Sequence, residues 1–549
     1  MEHNHKNFPT KFLAFLTTSS FLLRLTTALI GSQGEWQLLR NSTGVVAMHM
    51  ALTYQDTVLM FDQTGFGPSG YRLSKRLHGT RCLGNPVSDA RCYAHSVEYH
   101  ISTNTVRPLR MVSDPFCSSG TFLSNGTLLE TGGYANGYRR IRYFHPCNDG
   151  TCDWKLSRAK LSDDRWYASN LLLPGENDRV IVVGGQRVFS YEFVPKLFPA
   201  EKAFSLPFLR QTYNKTERGN NLYPFLHLSS DGRLFIFANR DSILFDYRRN
   251  TVVKTFPRMP GNGSRNYPGS GSSVILPLTH RDRFQKVEVM VCGGGAEGAQ
   301  TAARAGRFLD GLRTCGRMVI TGNKHTWSME NMPHPRLLMD MIILPTGNIL
   351  FVNGATRGSG GWNNADQPAQ RPFLYNPRKP VGKRFSTLKP TKIARMYHSS
   401  AILLPDGRVL VGGSNPHQRY TYRNVTYPTE LRLQAFAPQY TDKRFSRMRP
   451  RNVSVEDSDG VNVKYGQGFL VTFRLAGRPD VLEFNMYAPP FTTHSVAMNQ
   501  RMLKLRSMRM VREAPHGGSG GKVTVMLEAP PSPNVAPPGI SLKLTASFV

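Results

Sequence analysis

Long apolar runs are missing from nearly all of this chain. After residue 30, no segment approaches the ~20 consecutive apolar residues that a membrane-spanning helix needs, so we expect no transmembrane segment in the mature protein. Helical heptads and low-complexity tracts are also absent, which argues against a coiled coil or a disordered chain. Acidic residues are scarce: 37 stand against 69 basic ones, giving a net charge of +32 with no single basic block.

Glycine and proline are plentiful, and the apolar runs between them are short. The 549 residues include 49 Gly and 37 Pro, and this punctuation favours an all-β protein. The length allows two or three domains.

The N-terminus predicts export. Residues 12–30 form an apolar run after a short segment with His and Lys, and small or polar residues follow at 31–34. We interpret residues 1–33 as a secretory signal peptide. A short membrane helix is the alternative, but Arg24 interrupts the apolar core. Six N-x-S/T sequons fit a glycosylated, secreted protein: Asn41, Asn125, Asn214, Asn262, Asn424 and Asn452.

In an exported protein, the net positive charge indicates which kinds of partner the protein can attract. A secreted cation is expected to meet an acidic polysaccharide or another anionic surface rather than nucleic acid. General solubility without a specific partner explains the charge equally well.

Seven cysteines leave one without a partner. Closeness in sequence pairs Cys82 with Cys92, Cys147 with Cys152, and Cys292 with Cys315, although six cysteines permit 15 pairings. Cys117 is then the odd one. A lone cysteine is usually a buried small hydrophobe, but in an oxidising compartment it can also have a covalent use.

One unit recurs along most of the chain: a turn, a short apolar strand, then small residues, often Gly-Gly. Successive copies end at spacings of 52, 54, 55, 60 and 59 residues. They are SNGTLLETGG (124–133), ENDRVIVVGG (176–185), SDGRLFIFAN (230–239), KVEVMVCGGG (286–295), PTGNILFVNG (345–354) and PDGRVLVGGS (405–414), after a looser YQDTVLMFDQ (54–63). This period predicts a seven-bladed, Kelch-like β-propeller over residues 34–434. A set of β-sandwiches would not repeat one strand at a near-constant spacing.

The Gly-Gly pattern stops near residue 435. Alternating runs then predict an immunoglobulin-like β-sandwich over residues 435–549, with 414–440 as the connection. The runs are 468–475, 481–488, 502–508, 522–529 and 540–547.

Five residues beside predicted strand starts or in loops are candidates for chemistry. They are Cys117 in DPFCSSGTFL, Tyr167 in DRWYASNLLL, Tyr397 and His398 in ARMYHSSAILL, and His494 in PPFTTHSVAMN. Singly, each has an ordinary structural interpretation, such as a tyrosine capping the core. Adjacent Tyr-His in a regular strand would point to opposite faces, so both reach one ion only if the backbone is irregular there.

These motifs, the repeat and the C-terminal runs together resemble the copper radical oxidases, which include fungal galactose oxidase and glyoxal oxidase. The resemblance extends over essentially all of the chain after residue 33 and is greatest to plant glyoxal-oxidase-like aldehyde oxidases. It implies one copper ion held by Tyr167, Tyr397, His398 and His494, with Tyr167 equatorial and Tyr397 axial. It also implies a thioether between Cys117 and Tyr167, which would form a radical cofactor and account for the odd cysteine.

The chemistry agrees with these roles. Imidazole and phenolate ligands in a tetragonal arrangement suit Cu(II). Oxidation of an aldehyde hydrate removes two electrons, whereas copper cycles by one, so a second one-electron centre is needed. The sulfur-substituted Tyr167 can supply it, and Tyr397 can take the substrate proton as general base.

One position departs from galactose oxidase, in which a Trp stacks on the radical tyrosine shortly after the Gly-Gly of the next strand. Here Gly184-Gly185 is followed by Gln186-Arg187. This favours the glyoxal oxidase branch, with simple aldehydes as substrates. It leaves Arg187 or Trp166 as candidates to cover the ring.

Three functions remain in competition. The leading hypothesis is a secreted, monomeric aldehyde oxidase of the cell wall or apoplast that uses O2 and forms H2O2. The second keeps the site but oxidises a primary alcohol on a carbohydrate. The third is a non-catalytic propeller that binds wall polysaccharide, because fold alone does not decide function.

Overall fold

The computed structural model describes most of the chain, namely residues 33–73, 92–175, 177–456, 463–477, 482–513, 520–538 and 543–548. The predicted signal peptide lies outside these residues except for Gln33, and so does Cys82. Among the described residues, no helix is long and apolar enough to cross a membrane.

Small antiparallel sheets of one design make up the described chain as far as Ala437. In each, four strands pair as neighbours, and the first strands of successive sheets contact one another directly or across an inserted hairpin. The all-β propeller that the repeats predicted is therefore confirmed, and we number its sheets blades 1 to 7 in chain order.

Strand β1 (Glu35–Arg40) belongs to the last blade. Blade 1 contains β2 (His49–Leu52), β3 (Thr57–Phe61), β4 (Ser96–His100) and β5 (Thr105–Leu109), and blade 2 contains β6 (Ser119–Phe122), β7 (Leu128–Thr131), β8 (Ile141–Phe144) and β9 (Lys155–Leu156). Blade 3 contains β10 (Ser169–Leu172), β11 (Val180–Val183), β12 (Ser190–Val194) and β13 (Phe204–Ser205), and blade 4 contains β14 (Phe225–Leu228), β15 (Leu234–Ala238), β16 (Asp241–Asp246) and β17 (Thr251–Thr255).

Blades 5 to 7 carry two insertions, β19 (Leu278–Thr279) and the hairpin of β25 (Ala355–Gly358) and β26 (Ala365–Pro368). Blade 5 contains β18 (Ser272–Ile275), β20 (Glu288–Cys292), β21 (Thr314–Val319) and β22 (Ser328–Asn331). Blade 6 contains β23 (Asp340–Ile343), β24 (Ile349–Val352), β27 (Phe373–Tyr375) and β28 (Phe385–Thr387), and blade 7 contains β29 (Ser399–Leu403), β30 (Val409–Gly413) and β31 (Leu433–Ala437) beside β1. Short helices occur at α1 (Pro207–Gln211) and α2 (Ala299–Arg304), with 3₁₀ turns at Thr64–Phe66, Ala135–Gly137, His280–Asp282, Gln439–Thr441 and Lys443–Met448.

The repeated sequence motif is the second strand of each blade. These strands are β3, β7, β11, β15, β20, β24 and β30, and apart from Glu288 every one of their residues is buried. A strand with neighbours on both edges and packed sheets on both faces has no solvent side. It therefore shows a continuous apolar run rather than alternation.

The paired glycines after these strands allow close approach, as expected. A Cβ on Gly132 would lie 2.0 Å from the Arg165 carbonyl oxygen, and one on Gly133 would lie 2.1 Å from that of Asp114. Both glycines have positive φ (+78° and +125°), which L side chains rarely adopt.

The N-terminal strand closes the propeller. β1 pairs with β31, so that Trp36 lies opposite Phe436 with the ring centroids 5.1 Å apart. The Trp36 indole N–H donates to the Lys389 carbonyl at 2.8 Å. Strand β31 also shows that part of the predicted connection 414–440 is wrong, since it belongs to blade 7.

The C-terminal part contains two further four-stranded sheets. They comprise β32 (Arg451–Glu456), β33 (Gly468–Leu475), β38 (Ser507–Arg512) and β39 (Gly521–Glu528) in one sheet, and β34 (Leu482–Ala488), β37 (Arg501–Leu505), β40 (Lys543–Phe548) and the propeller strand β19 in the other. Alternate residues of β33 and β39 are buried, as expected for a sandwich with one face in the core. The single strand predicted at 502–508 is wrong: the chain leaves one sheet after Leu505 and enters the other at Ser507.

A hairpin from this C-terminal part enters the propeller. Its strands β35 (Phe491–Thr493) and β36 (Val496–Met498) join blade 1 through pairing of β35 with β2, where Met50 faces Thr492. β36 also contacts the first strands of blades 3 to 6. The hairpin thus provides backbone hydrogen-bond partners for the edge of β2 and lies among the inner strands.

The described disulfides join Cys147 to Cys152 and Cys292 to Cys315, as proximity predicted. Cys92 is also disulfide-bonded, while Cys82 lies outside the described residues. Cys117 is a buried free thiol, which confirms it as the cysteine without a disulfide partner.

Candidate metal centre

Left-handed backbone turns precede the inner strands that carry the predicted residues. Cys117 and Tyr167 stand two residues before β6 and β10, with φ of +57° and +65°, and His398 directly precedes β29 with φ of +66°. Such a turn breaks the strand alternation. Tyr397 and His398 therefore lie together, with ring centroids 3.7 Å apart. The backbone is irregular here, which is the condition under which both side chains can reach one ion.

His494 comes from the tip of the inserted hairpin. It has φ of +47°, and Ser495 after it has φ of +72°, so the two residues form the turn between β35 and β36. The hairpin brings the His494 ring within 5.0 Å of the His398 ring, centroid to centroid. A residue late in the chain thus reaches the loops of blades 2, 3 and 7.

All five predicted residues meet in one buried place. The Cys117 Sγ lies 3.2 Å from the His494 Nε2, and one ligand atom each of Cys117, His398 and His494 lie within 4.8 Å of one another. The rings of Tyr167 and Tyr397 lie 6.0 and 5.6 Å from that of His494.

Both histidines are buried and stay neutral. The His398 Nδ1 donates to the Asn415 carbonyl at 3.0 Å, so its Nε2 carries the lone pair. That Nε2 is buried and has no hydrogen-bond partner in the described structure. Burial lowers the pKa of His398 well below its usual value and that of His494 to about 3. An unpartnered, neutral imidazole nitrogen is what a metal ion binds.

The phenols and the thiol keep their protons in this environment. Burial raises the pKa of Tyr167, Tyr397 and Cys117 well above the usual values, because an anion loses more hydration than a neutral group. Ionisation of these groups therefore requires a cation beside them.

The Cys117 loop is held by a buried polar network. The Asp114 carboxylate accepts from the Phe116 N–H at 3.0 Å, and the Arg142 guanidinium donates to the Asp114 carbonyl at 2.9 Å while it pairs with Glu130. The Tyr223 hydroxyl donates to the Ser118 carbonyl at 2.9 Å. These bonds fix the backbone on both sides of the thiol.

The same loop is joined to its neighbours. His49 donates through Nε2 to the Pro115 carbonyl at 3.1 Å, and the Tyr167 N–H donates to the Cys117 carbonyl at 3.0 Å. The second bond ties the loops of blades 2 and 3 together.

A third tyrosine, Tyr267 of blade 5, lies at the same place and is not among the residues predicted from sequence. Its hydroxyl accepts from the Tyr167 hydroxyl at 3.2 Å and is 2.9 Å from that of Tyr397. Its ring stacks on the Tyr167 ring with centroids 4.5 Å apart and planes 20° apart.

An Arg-x-Tyr motif could have revealed it. Arg165-Trp-Tyr167, Arg265-Asn-Tyr267 and Arg395-Met-Tyr397 occur in blades 3, 5 and 7. Each arginine is buried and donates to the carbonyl of a glycine at the end of the second strand of its blade: Gly184, Gly293 and Gly413, at 2.7–2.8 Å. The arginine anchors each loop and leaves the tyrosine at the centre.

Trp166 also covers the Tyr167 ring, with centroids 4.7 Å apart and planes 36° apart. Arg187 is exposed. Of the two residues that the sequence offered for this role, the structure therefore favours Trp166, and Tyr267 joins it.

Comparisons with known proteins agree with this arrangement. Residues 48–440 match the family described as Glyoxal oxidase N-terminus, and residues 449–544 match a Galactose oxidase-like, Early set domain. The chain belongs to the glyoxal oxidase family. Aldehyde oxidase GLOX of Vitis pseudoreticulata is 41% identical over 93% of this chain and 94% of its own. Aldehyde oxidase GLOX1 of Arabidopsis thaliana is 42% identical over 93% of this chain and 82% of its own.

A solved structure supports the fold of this glyoxal oxidase family member. A fungal alcohol oxidase of the AA5 family, in complex with copper, superposes with a TM-score of 0.67 and covers 94% of this chain and all of its own. At 16% identity, this likeness shows the shared fold alone.

The donor set fits copper. Two neutral imidazoles and two phenols that need a cation to ionise are the nitrogen and oxygen ligands that suit Cu(II). The unpartnered His398 Nε2 is the observation in this structure that fits a metal ion.

Proposed function

We propose that this glyoxal oxidase family member is a copper radical oxidase that converts simple aldehydes to carboxylic acids. The overall reaction is aldehyde plus water plus O2 to acid plus H2O2. The observation that carries the proposal is the convergence of Cys117, His398 and His494 within 4.8 Å, with a ligand nitrogen left unpartnered. The two relatives named aldehyde oxidase support the substrate class.

Four side chains would hold the copper: Tyr167, Tyr397, His398 and His494. Copper would supply a one-electron couple and the positive charge that ionises the two buried phenols. Cys117 would join Tyr167 by a carbon–sulfur bond. In that step the thiol and the tyrosine ring each lose one hydrogen, and O2 accepts the two electrons and two protons as H2O2.

The proposed turnover divides the work between the two tyrosines. Tyr397 Oη takes the proton of a hydroxyl of the aldehyde hydrate as general base. Tyr167, as a radical, takes the hydrogen atom from the substrate carbon at its Oη. These two transfers remove two protons and one electron from the substrate. The second electron would go to the one-electron couple that copper supplies, and O2 would accept both electrons and both protons to leave as H2O2.

We also propose that the protein acts outside the cell as a monomer, in the cell wall or apoplast. The disulfides fit an oxidising compartment. Five of the six sequon asparagines are exposed and Asn214 is half-buried, so glycans would be accommodated. Docking to acidic wall polysaccharide stays a prediction from the net charge of +32.

The test is oxygen uptake and peroxide formation by copper-loaded, aerated protein. Glyoxal and methylglyoxal are compared with galactose and a simple primary alcohol. We expect turnover of the aldehydes, its loss in Cys117→Ala, and its retention in the control Ser118→Ala from the same loop.

Two results would overturn parts of the proposal. Preference for galactose or the primary alcohol would identify an alcohol oxidase. Failure of the protein to bind copper would leave the non-catalytic, polysaccharide-binding propeller.

A further inference from the structure

The Tyr167 ring lies against one stacked and one tilted aromatic ring, and the stacked ring comes from another blade. Tyr267 lies at 20° and Trp166 at 36° to it, whereas Tyr223 and His494 meet it edge-on at 84° and 83°. We infer that Tyr267 is a positioning residue for the tyrosine radical. Its ring protects the radical, and its hydroxyl opposes oxidation of Tyr167. This role rests on the proposed function.

Burial and ring contact allow Tyr267 to protect the radical. Tyr267 is 8% exposed, and its centroid lies 4.5 Å from that of Tyr167. A radical spread over a phenol ring is quenched by water or by reductants that reach the ring. A second ring stacked on it excludes both. Trp166 alone would leave open the area that Tyr267 occupies.

The number of protons shared by the three phenols makes the Tyr267 hydroxyl a hydrogen-bond donor. Three phenol oxygens lie in a row, 3.2 Å from Tyr167 to Tyr267 and 2.9 Å from Tyr267 to Tyr397. Once Tyr167 and Tyr397 are phenolates they can only accept hydrogen bonds, so the single O–H of Tyr267 must donate to one or the other of them.

A hydrogen bond to an anion stabilises the anion. The pair of phenolates, Tyr167 and Tyr397, becomes less negative when it loses one electron. The hydrogen bond from Tyr267 is therefore stronger to the unoxidised pair, and it opposes oxidation. The ring and the hydroxyl of Tyr267 therefore have opposite effects. The ring prolongs the life of the radical, and the hydroxyl makes the radical harder to form.

Two variants separate these effects in the copper-loaded, aerated full chain. Tyr267→Phe keeps the ring and removes the donor, and Tyr267→Leu removes both. Tyr191→Phe, at a buried tyrosine in the third strand of blade 3, is the control for loss of a hydroxyl elsewhere. Visible absorption measures the oxidised fraction at a fixed ferricyanide-to-ferrocyanide ratio. It then measures the half-life of the radical after the oxidant is removed, without substrate.

For Tyr267→Phe, we expect the ratio of oxidised to unoxidised protein to rise about tenfold, the effect of one hydrogen bond to a charged acceptor. Its radical half-life should stay close to that of the unaltered protein. For Tyr267→Leu we expect a half-life several-fold shorter than for Tyr267→Phe. A general loss of packing would not raise the oxidised fraction in one variant and shorten the half-life in the other.

The outcomes distinguish this inference from the proposed function. If the unaltered protein forms neither the Cys117–Tyr167 link nor a radical, the proposed function is wrong and this role falls with it. If it forms both, an unchanged or lower oxidised fraction in Tyr267→Phe refutes the hydroxyl role. An unchanged half-life in Tyr267→Leu refutes the ring role. Tyr267→Phe preserves the side-chain shape, so its oxidised fraction decides the matter if Tyr267→Leu fails to fold.

Discussion

Binding of Cu(II) to the metal-free protein should release two protons. Burial keeps His398 and His494 neutral at ordinary pH, so they have none to lose. Burial raises the pKa of Tyr167 and Tyr397, so each carries a proton that must leave when its oxygen becomes a ligand. The metal-free protein therefore holds more protons than the loaded one, and a rise in pH must favour the loaded form.

The size of the effect follows from the number of protons. Each displaced proton changes the binding constant tenfold per pH unit, or about 1.4 kcal/mol. Two protons give a rise of about a hundredfold per pH unit between about pH 6 and 8. Imidazole ligation alone would give almost no dependence in this range, because the pKa of His494 is about 3.

The assay is competition with a copper chelator of known affinity at about pH 6, 7 and 8, under argon so that no thioether forms. Cys117→Ser is measured in parallel, because the Cys117 thiol is also within reach of the site. Both proteins should show the hundredfold slope. A slope near zero would refute phenolate ligation. If copper affinity instead rises a thousandfold per pH unit, a third proton is released. A return to a hundredfold in Cys117→Ser would make the Cys117 thiolate a ligand, and a thousandfold rise that persists in Cys117→Ser would point to Tyr267.

Three further predictions follow from the structure. Gly133→Ala places a Cβ 2.1 Å from the Asp114 carbonyl, whereas Gly175→Ala meets nothing within 4 Å. Both glycines have positive φ (+125° and +153°), so either substitution strains the backbone, but only Gly133→Ala adds a clash. We therefore expect Gly133→Ala to lower the urea midpoint further than Gly175→Ala does, by the equivalent of about 1–3 kcal/mol, the usual cost of overpacking. Burial raises the pKa of Asp340 to about 8, above its unfolded value, so its contribution to stability falls as pH rises from about 4 to 8. Asp340→Asn should lose this slope, by at most about 1.4 kcal/mol per pH unit, in unfolding measured across that range. Intact mass before and after enzymatic deglycosylation should reveal N-glycans on the secreted chain, and an unchanged mass would refute their presence.

The propeller could be predicted because its second strands are covered on every side. Strands such as β11 and β24 are completely buried, so their apolar runs and the turns at both ends stand out in sequence. The closing strand gave no such signal. β1 lies at a sheet edge and is largely exposed, so its sequence lacks a continuous apolar run.

The inserted hairpin could not be predicted from local pattern. Thr492 lies opposite Met50 although 442 residues separate the two in sequence. Only the folded chain brings the edge of β2 and this hairpin together. His494 was recognised as a candidate from its motif, but its position at the hairpin tip had to come from the structure.

Tyr267 could not be predicted from its distance to the next strand, because its loop is longer than the equivalent loops. Tyr167 stands two residues before its strand. Tyr267 stands five residues before β18, with Pro268, Gly269, Ser270 and Gly271 between them. Distance from the strand start is therefore a poor guide to which side chain reaches the centre. The buried arginine two residues earlier is a better one, because it fixes the loop to the backbone of its own blade.

The central claim is that Cys117 and Tyr167 form one redox cofactor. Peptide mapping by mass spectrometry on copper-loaded, aerated protein tests it most directly. The account predicts that the Cys117 and Tyr167 peptides are joined by a link that reducing agents do not break, lighter by two hydrogens than the two peptides together. A free Cys117, or one released by a reducing agent, would contradict the account.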